Sequence, residues 1–225
     1  MYLWSGIEQG PLAQRNNLNA HFYDAPGTVV NTLNGLCGQK VPIYYCPSDS
    51  GQVEQNVGTY QRVRGNYVVN WGNTPYDTAP SAATAPFHHT GGNRSTPGKV
   101  TMTSISDGTS NTLMVSEYLI AKSVNDNDWR GDIHNDDGIF RFNTTLTPNT
   151  TAPDIILNGW FQTTNDPLMP ATAGSAQQNA ARSRHSGGVN AGLCDGSVRF
   201  FRNGIALDTW QKMGTMNGGE VFAND

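Results

Sequence analysis

The sequence predicts an α+β domain that is rich in strand and loop and sparing in helix. Three observations carry that reading. Hydrophobic residues make up 36% of the chain and charged residues only 14%, while Gly, Asn, Thr and Ser abound; such small polar side chains compete with helix hydrogen bonding and favour turns. Two β-type runs, 189–194 and 197–201, flank Asp195-Gly196, the dipeptide preferred for a type I′ hairpin turn. Helical spacing is confined to short stretches, the first over 6–23, where Ile7, Leu12, Leu18 and Phe22 fall partly on one face.

Pro11 interrupts that first stretch and is tolerated in a first turn, so the helix is expected to start there. A strand over 41–46 follows, stopped by Pro47-Ser48-Asp49, and another is expected over 64–71. Residues 73–98, rich in Pro, Gly, Ala and Thr, read as a long surface loop. Runs 100–103 and 112–118 flank the turn-forming Asp107-Gly108-Thr109-Ser110-Asn111, and 138–142 and 155–162 supply further strands. After the hairpin, a short helix over 207–213 precedes a Gly-rich tail at 214–219. No repeat of solenoid period breaks this order, and 1–225 reads as one domain long enough to bury a core.

Composition excludes several classes. A net charge of −4 without a basic run excludes a general nucleic-acid binder, which needs a basic face to displace counterions from phosphates. No apolar stretch approaches the ~20 residues of a spanning helix, and no secretion signal is visible at the start. Cys37, Cys46 and Cys194 cannot all pair within one chain: a Cys37–Cys46 loop, a Cys46–Cys194 bridge and three reduced buried thiols all fit. With no Cys-x-x-Cys and no His close by, their spacing points away from zinc.

Catalytic signatures are missing too. There is no Gly-x-Ser-x-Gly elbow and no His-Glu-x-x-His. His185 and Asp195 invite a catalytic pairing, but Asp195-Gly196 already serves the hairpin turn, and His185 before Ser186-Gly187-Gly188 suits a bond to loop carbonyls. His88-His89 is an isolated pair in the long loop. Trp71, Trp129, Trp160 and Trp210 are expected mostly in the core, with Trp129, set among charges, the one expected at the surface.

The acidic stretch 125–138 is the richest local signal. Asp126, Asp128, Asp132, Asp136 and Asp137 lie within about a dozen residues, interleaved with Asn and Gly. Calcium takes roughly 6–8 oxygen ligands from such loops, although the spacing is not that of an EF-hand. The alternative is a solvated acidic loop.

His185, nine further residues, then Asp195-Gly196 continuing as Ser197-Val198-Arg199-Phe200 resembles the tail of a bacterial family named for an H-x9-DG signature and associated with prepilin-type processing. Three more segments look similar to the same family in the same order: Cys46-Pro47-Ser48-Asp49; Ile105-Ser106-Asp107-Gly108-Thr109-Ser110-Asn111-Thr112; and Asp208-Thr209-Trp210 with Gly218-Gly219-Glu220-Val221. The similarity runs from about residue 3 to residue 222. It implies the head domain of a type II secretion pseudopilin-like protein: a short N-terminal helix packed on an antiparallel sheet with long loops. Family members begin with a cleaved prepilin leader and a long apolar helix, followed by a segment resembling Ile7-Glu8-Gln9-Gly10-Pro11-Leu12; this chain begins at about that point. The resemblance implies an extracytoplasmic location, other pseudopilin or secretion-system subunits as partners, and a calcium ion held by the acidic loop. It supplies no reaction.

Two functions are therefore expected to compete. The first is a calcium-stabilised structural or interaction head for secretion or surface filaments. The second is a metal-dependent hydrolase of small esters or lactones, with His185, Asp195 and His134 as catalytic candidates and His88 and His89 in support.

Overall fold

A computed structural model describes residues 2–76, 78, 84–90, 96–135, 139–157, 161 and 166–219. The α+β class holds. Its centre is a five-stranded sheet in the order β5-β3-β4-β8-β9, formed by β3 (Tyr67–Asn70), β4 (Leu113–Glu117), β5 (Arg141–Phe142), β8 (Gly188–Leu193) and β9 (Val198–Arg202). Three of its pairings are antiparallel, but β3 and β5 run parallel, so the sheet is mixed. Two small ribbons flank it: β1 (Glu54–Gln55) with β2 (Arg62–Val63), and β6 (Asp154–Ile156) with β7 (Ala171–Ala173).

The sheet packs against a helix from the other end of the chain than expected. The N-terminal helix shrinks to α1 (Gly10–Arg15), with Pro11 in its first turn and no buried residue. A short 3-10 segment, Tyr2–Ile7, precedes it and buries Trp4 against His134. The helix on the core is α2 (Leu207–Gly214), whose Trp210 and Met213 join Val68, Leu113, Phe142, Val189 and Phe201 in one cluster. Trp210 packs its ring against Phe142 and Phe201 with centroids 5.9 and 5.3 Å apart. Aromatic side chains of this size dominate such cores.

The expected strand over 41–46 is instead a 3-10 turn, Pro42–Tyr44. Pro42 has no N–H to give a ladder, and its fixed φ suits a turn start. The 189–201 hairpin forms in full register, Gly188 opposite Arg202 through Gly192 opposite Val198. Its turn differs from type I′: among the described residues there, only Gly196 has positive φ, at 86°. Gly196 N–H closes on Leu193 O at 2.9 Å and Leu193 N–H on Ser197 O at 2.8 Å. This is the three-residue connection with a left-handed glycine at its end. No helix among the described residues is long and apolar enough to cross a membrane.

Candidate functional site

The acidic stretch folds inward around arginines. Asp128 and Asp132 are fully buried and Asp126 nearly so. Arg130 donates from Nη2 to Asp128 Oδ2 at 2.6 Å, and Arg62, on β2, donates from Nε to Asp132 Oδ2 at 2.7 Å. The Asp126 carboxylate accepts from its own loop, Asp128 N–H, at 2.9 Å. Burial raises the Asp126 carboxyl, and that hydrogen bond opposes the rise. The carbonyl oxygens of Asp126 and Asp128 converge as those of a calcium loop would, but on the guanidinium of Arg64, at 2.6 and 3.1 Å from Nη2. Gln52, Glu54 and Ser123 carbonyls complete its shell through Nη1. Gly131 permits this crowding: its φ is +80°, and a Cβ there would stand 2.3 Å from Ile120 Cγ2 and 2.8 Å from Gly65 O. Arginines thus neutralise Asp128 and Asp132 and gather the carbonyls of this loop. Asp136 and Asp137 lie outside the described residues.

The lattice extends through Asp154, buried on β6. Arg182 donates to both its oxygens, from Nη2 to Oδ1 at 2.9 Å and from Nε to Oδ2 at 3.0 Å. Arg130 Nη1 and the Tyr118 hydroxyl reach Oδ2 at 3.1 and 3.2 Å. Burial works against the Arg130 charge, yet Asp128 and then Tyr118 and Asp154 hold its pKa above the ordinary value. Trp129 is half-buried, with the Arg62 guanidinium 4.8 Å from its ring centre. Trp71 and Trp210 are buried as expected, and Trp160 lies outside the described residues.

A second centre gathers residues far apart in sequence. Glu117 ends β4 and is 3% exposed. Its Oε1 lies 2.8 Å from His185 Nε2 and 3.7 Å from Cys46 Sγ, and Cys46 Sγ lies 3.6 Å from the same imidazole nitrogen. The backbone N–H of Asn190 donates to Glu117 Oε2 at 2.6 Å, and its side-chain amide to Oε1 at 3.1 Å. Cys46 is held by its own N–H, which donates to Asn66 Oδ1 at 3.0 Å. Asn66 in turn donates to Asp49 Oδ2 at 2.7 Å, and Arg184, the neighbour of His185, donates to Asp49 Oδ1 at 2.9 Å. Cys46-Pro47-Ser48-Asp49 and the loop before β8 are thus one hydrogen-bonded unit on the sheet. His185 is more open, with a side chain 29% exposed.

This geometry does not make Cys46 a nucleophile. A Cys–His pair needs one ring nitrogen free for the thiol and the other steadied by the acid. Here Nε2 faces both Glu117 and Cys46. Burial also pushes the Cys46 thiol up, where a reactive cysteine needs a lowered pKa. All three cysteines are free thiols; burial raises Cys37 to about 12 and Cys194 to about 11.

The His185–Asp195 pairing does not form. The six residues of β8 stand between them, roughly 20 Å of strand. Asp195 is spent at the hairpin tip, its Oδ1 accepting from Ser197 N–H and Oγ at 2.9 and 2.7 Å. That tip is bonded to the Asp107–Thr112 turn through Cys194 N–H to Thr112 O and Asp195 N–H to Thr109 O, at 2.9 and 3.1 Å. Asp107 binds the Gly218 and Gly219 N–H groups at 2.7 and 2.9 Å. His134 sits elsewhere, half-buried beside Trp4, with burial pulling its pKa down to about 4. His88 Nδ1 pairs with Ala85 O at 2.8 Å, and His89 stacks edge-on against Trp71. A cleft of about 200 Å³ lined by Asn16, Phe22, Ile133 and His134 contains none of Cys46, Glu117 or His185.

The Cys46–Glu117–His185 centre was invisible to spacing arguments, since its members are 68 to 139 residues apart. The one signal that could have found it is the set of resemblance segments: Cys46 and His185 each open one of them.

No curated protein and no solved structure matches the chain. A family model described as "Protein of unknown function (DUF1559)" matches residues 5–208, nearly the whole chain, and the chain belongs to that family.

Proposed function

We propose that this chain is a structural and interaction protein: the extracytoplasmic head of a pseudopilin-like protein that packs against other such subunits in a secretion or surface filament. The observation that carries this reading is what the segments of the H-x9-DG resemblance do. Cys46-Pro47-Ser48-Asp49 and His185 lock loops onto one end of β8, and Asp107–Thr112, Asp195-Gly196 and Gly218-Gly219 lock the other. They hold a shape rather than line a cleft. The edge strand β9 supports the interaction half of the proposal, leaving Val198 70% and Phe200 49% exposed beside Arg199 and Arg202. Exposed apolar edges of this kind invite a partner.

The test is a photo-crosslinking residue at position 200 of the full chain in its native cell. The proposal expects crosslinks to subunits that carry prepilin-type leaders, lost on Val198→Asp. A partner from the cytoplasm, or a chain that stays free and monomeric in the envelope, would overturn it.

A further inference from the structure

The geometry points to a zinc-class metal site formed by Cys46, Glu117 and His185, with a fourth position open to solvent. One thiol sulfur, one imidazole nitrogen and one carboxylate oxygen lie within 4.8 Å of one another. A tetrahedral zinc ion bound at ~2.3 Å to sulfur and ~2.0–2.2 Å to nitrogen and oxygen sets neighbouring ligand atoms roughly 3.4–3.6 Å apart. The observed Cys46–His185 and Cys46–Glu117 separations, 3.6 and 3.7 Å, match two of those three edges. The third, His185 to Glu117, is a 2.8 Å hydrogen bond that opens by about half an ångström as the ion replaces its proton.

The donor set chooses the class of ion. Thiolate and imidazole select zinc and its neighbours, whereas calcium and magnesium take oxygen alone. Charge balances, since one thiolate and one carboxylate neutralise a divalent ion. Loading releases the Cys46 thiol proton and shifts the imidazole proton to Nδ1, leaving the Nε2 lone pair for the metal, so binding weakens as pH falls. An outer shell is in place: Asn190 fixes Glu117 from two sides, Asn66 fixes the Cys46 backbone, and the backbone N–H of His185 donates to Ser183 Oγ at 3.1 Å. Such partners orient ligands before the metal arrives. The 29% exposure of the His185 side chain gives the ion an entry path and a place for water. Bound there, the ion joins the 41–46 segment, β4 and the loop before β8, which makes it a staple for the head.

The test is titration of the reduced full chain with Co2+ alone, followed by absorption, and then displacement with Zn2+. One Co2+ per chain is expected, with visible bands of a tetrahedral site and a thiolate-to-cobalt charge-transfer band. Zn2+ should raise Tm by roughly 5–10 °C at about a hundredfold excess over Kd. Cys46→Ser should remove the charge-transfer band. His185→Gln, on the more open loop, should weaken binding by at least about tenfold, the loss that even outer partners of ligands cause. Cys194→Ser should change nothing. An octahedral spectrum without thiolate, a band that survives Cys46→Ser, or no bound cobalt would overturn the site. Because Cys46→Ser and His185→Gln both leave buried Glu117 in place, the result does not hinge on a variant that fails to fold.

Discussion

His185 Nε2 lies 2.8 Å from Glu117 Oε1, a contact that spans 68 residues and ties the loop before β8 to the end of β4. Glu117 is the more deeply engaged partner, because its carboxylate also takes the Asn190 backbone and side-chain N–H groups. Glu117→Ala strands those buried donors and should cost about 3 kcal/mol; His185→Ala, on the open side, should cost about 1 kcal/mol. Urea midpoints of the two variants check the ranking. Equal losses would mean that Asn190 finds other acceptors.

Asp154 should be the most sensitive acidic residue in the chain. Its removal leaves Arg130 and Arg182 buried with their shared carboxylate gone. Stranding a buried charge costs about 3–5 kcal/mol, so Asp154→Ala should lower Tm by about 10 °C or more. Thermal melts of Asp154→Ala beside Asp208→Ala, whose pair with Lys212 is exposed, make the comparison. The second should be nearly silent.

Acid should weaken the protein through His134. Its folded pKa is pulled down to about 4, below its ordinary value of 6.5. The unfolded chain therefore binds the proton more readily, and stability falls as pH drops from about 6.5 towards 4, by roughly 2–3 kcal/mol. His134→Phe should flatten that slope in denaturant unfolding at pH 7 and pH 5. An unchanged slope would place the acid sensitivity in the carboxylates.

Calcium added after chelation should leave Tm unmoved. The carbonyls of Asp126 and Asp128 are taken up by Arg64, and the Asp128 and Asp132 carboxylates by Arg130 and Arg62. A ligand stabilises only through preferential binding to the folded state, and here an arginine would have to be displaced first. A calcium-dependent rise that is lost in Asp132→Ala would contradict this.

The hairpin and α2 were legible because their signals are local: Asp195-Gly196 between β-type runs, and a short helical run over 207–213 before a Gly-rich tail. The acidic stretch was legible as acidic, but its neutralisation was not. Arg62 and Arg64 reach it from a distant segment, and only the folded chain decides whether clustered aspartates attract calcium or guanidinium. The Cys46 centre shows the same limit. Its spacing argued against zinc, because spacing sees ligands on one loop and not three brought together by a sheet. The N-terminal helix has Pro11 in its first turn, as its sequence suggested, but is short for a plainer reason: Leu18 and Phe22 lie beyond α1, and the helical spacing they suggested is not carried through to the core.

X-ray absorption at the zinc edge of the loaded full chain reads whether Cys46, Glu117 and His185 hold one ion. The expected first shell holds one sulfur at ~2.3 Å with nitrogen and oxygen at ~2.0–2.2 Å. A shell of oxygen and nitrogen without sulfur, or a chain that retains no zinc, would contradict it.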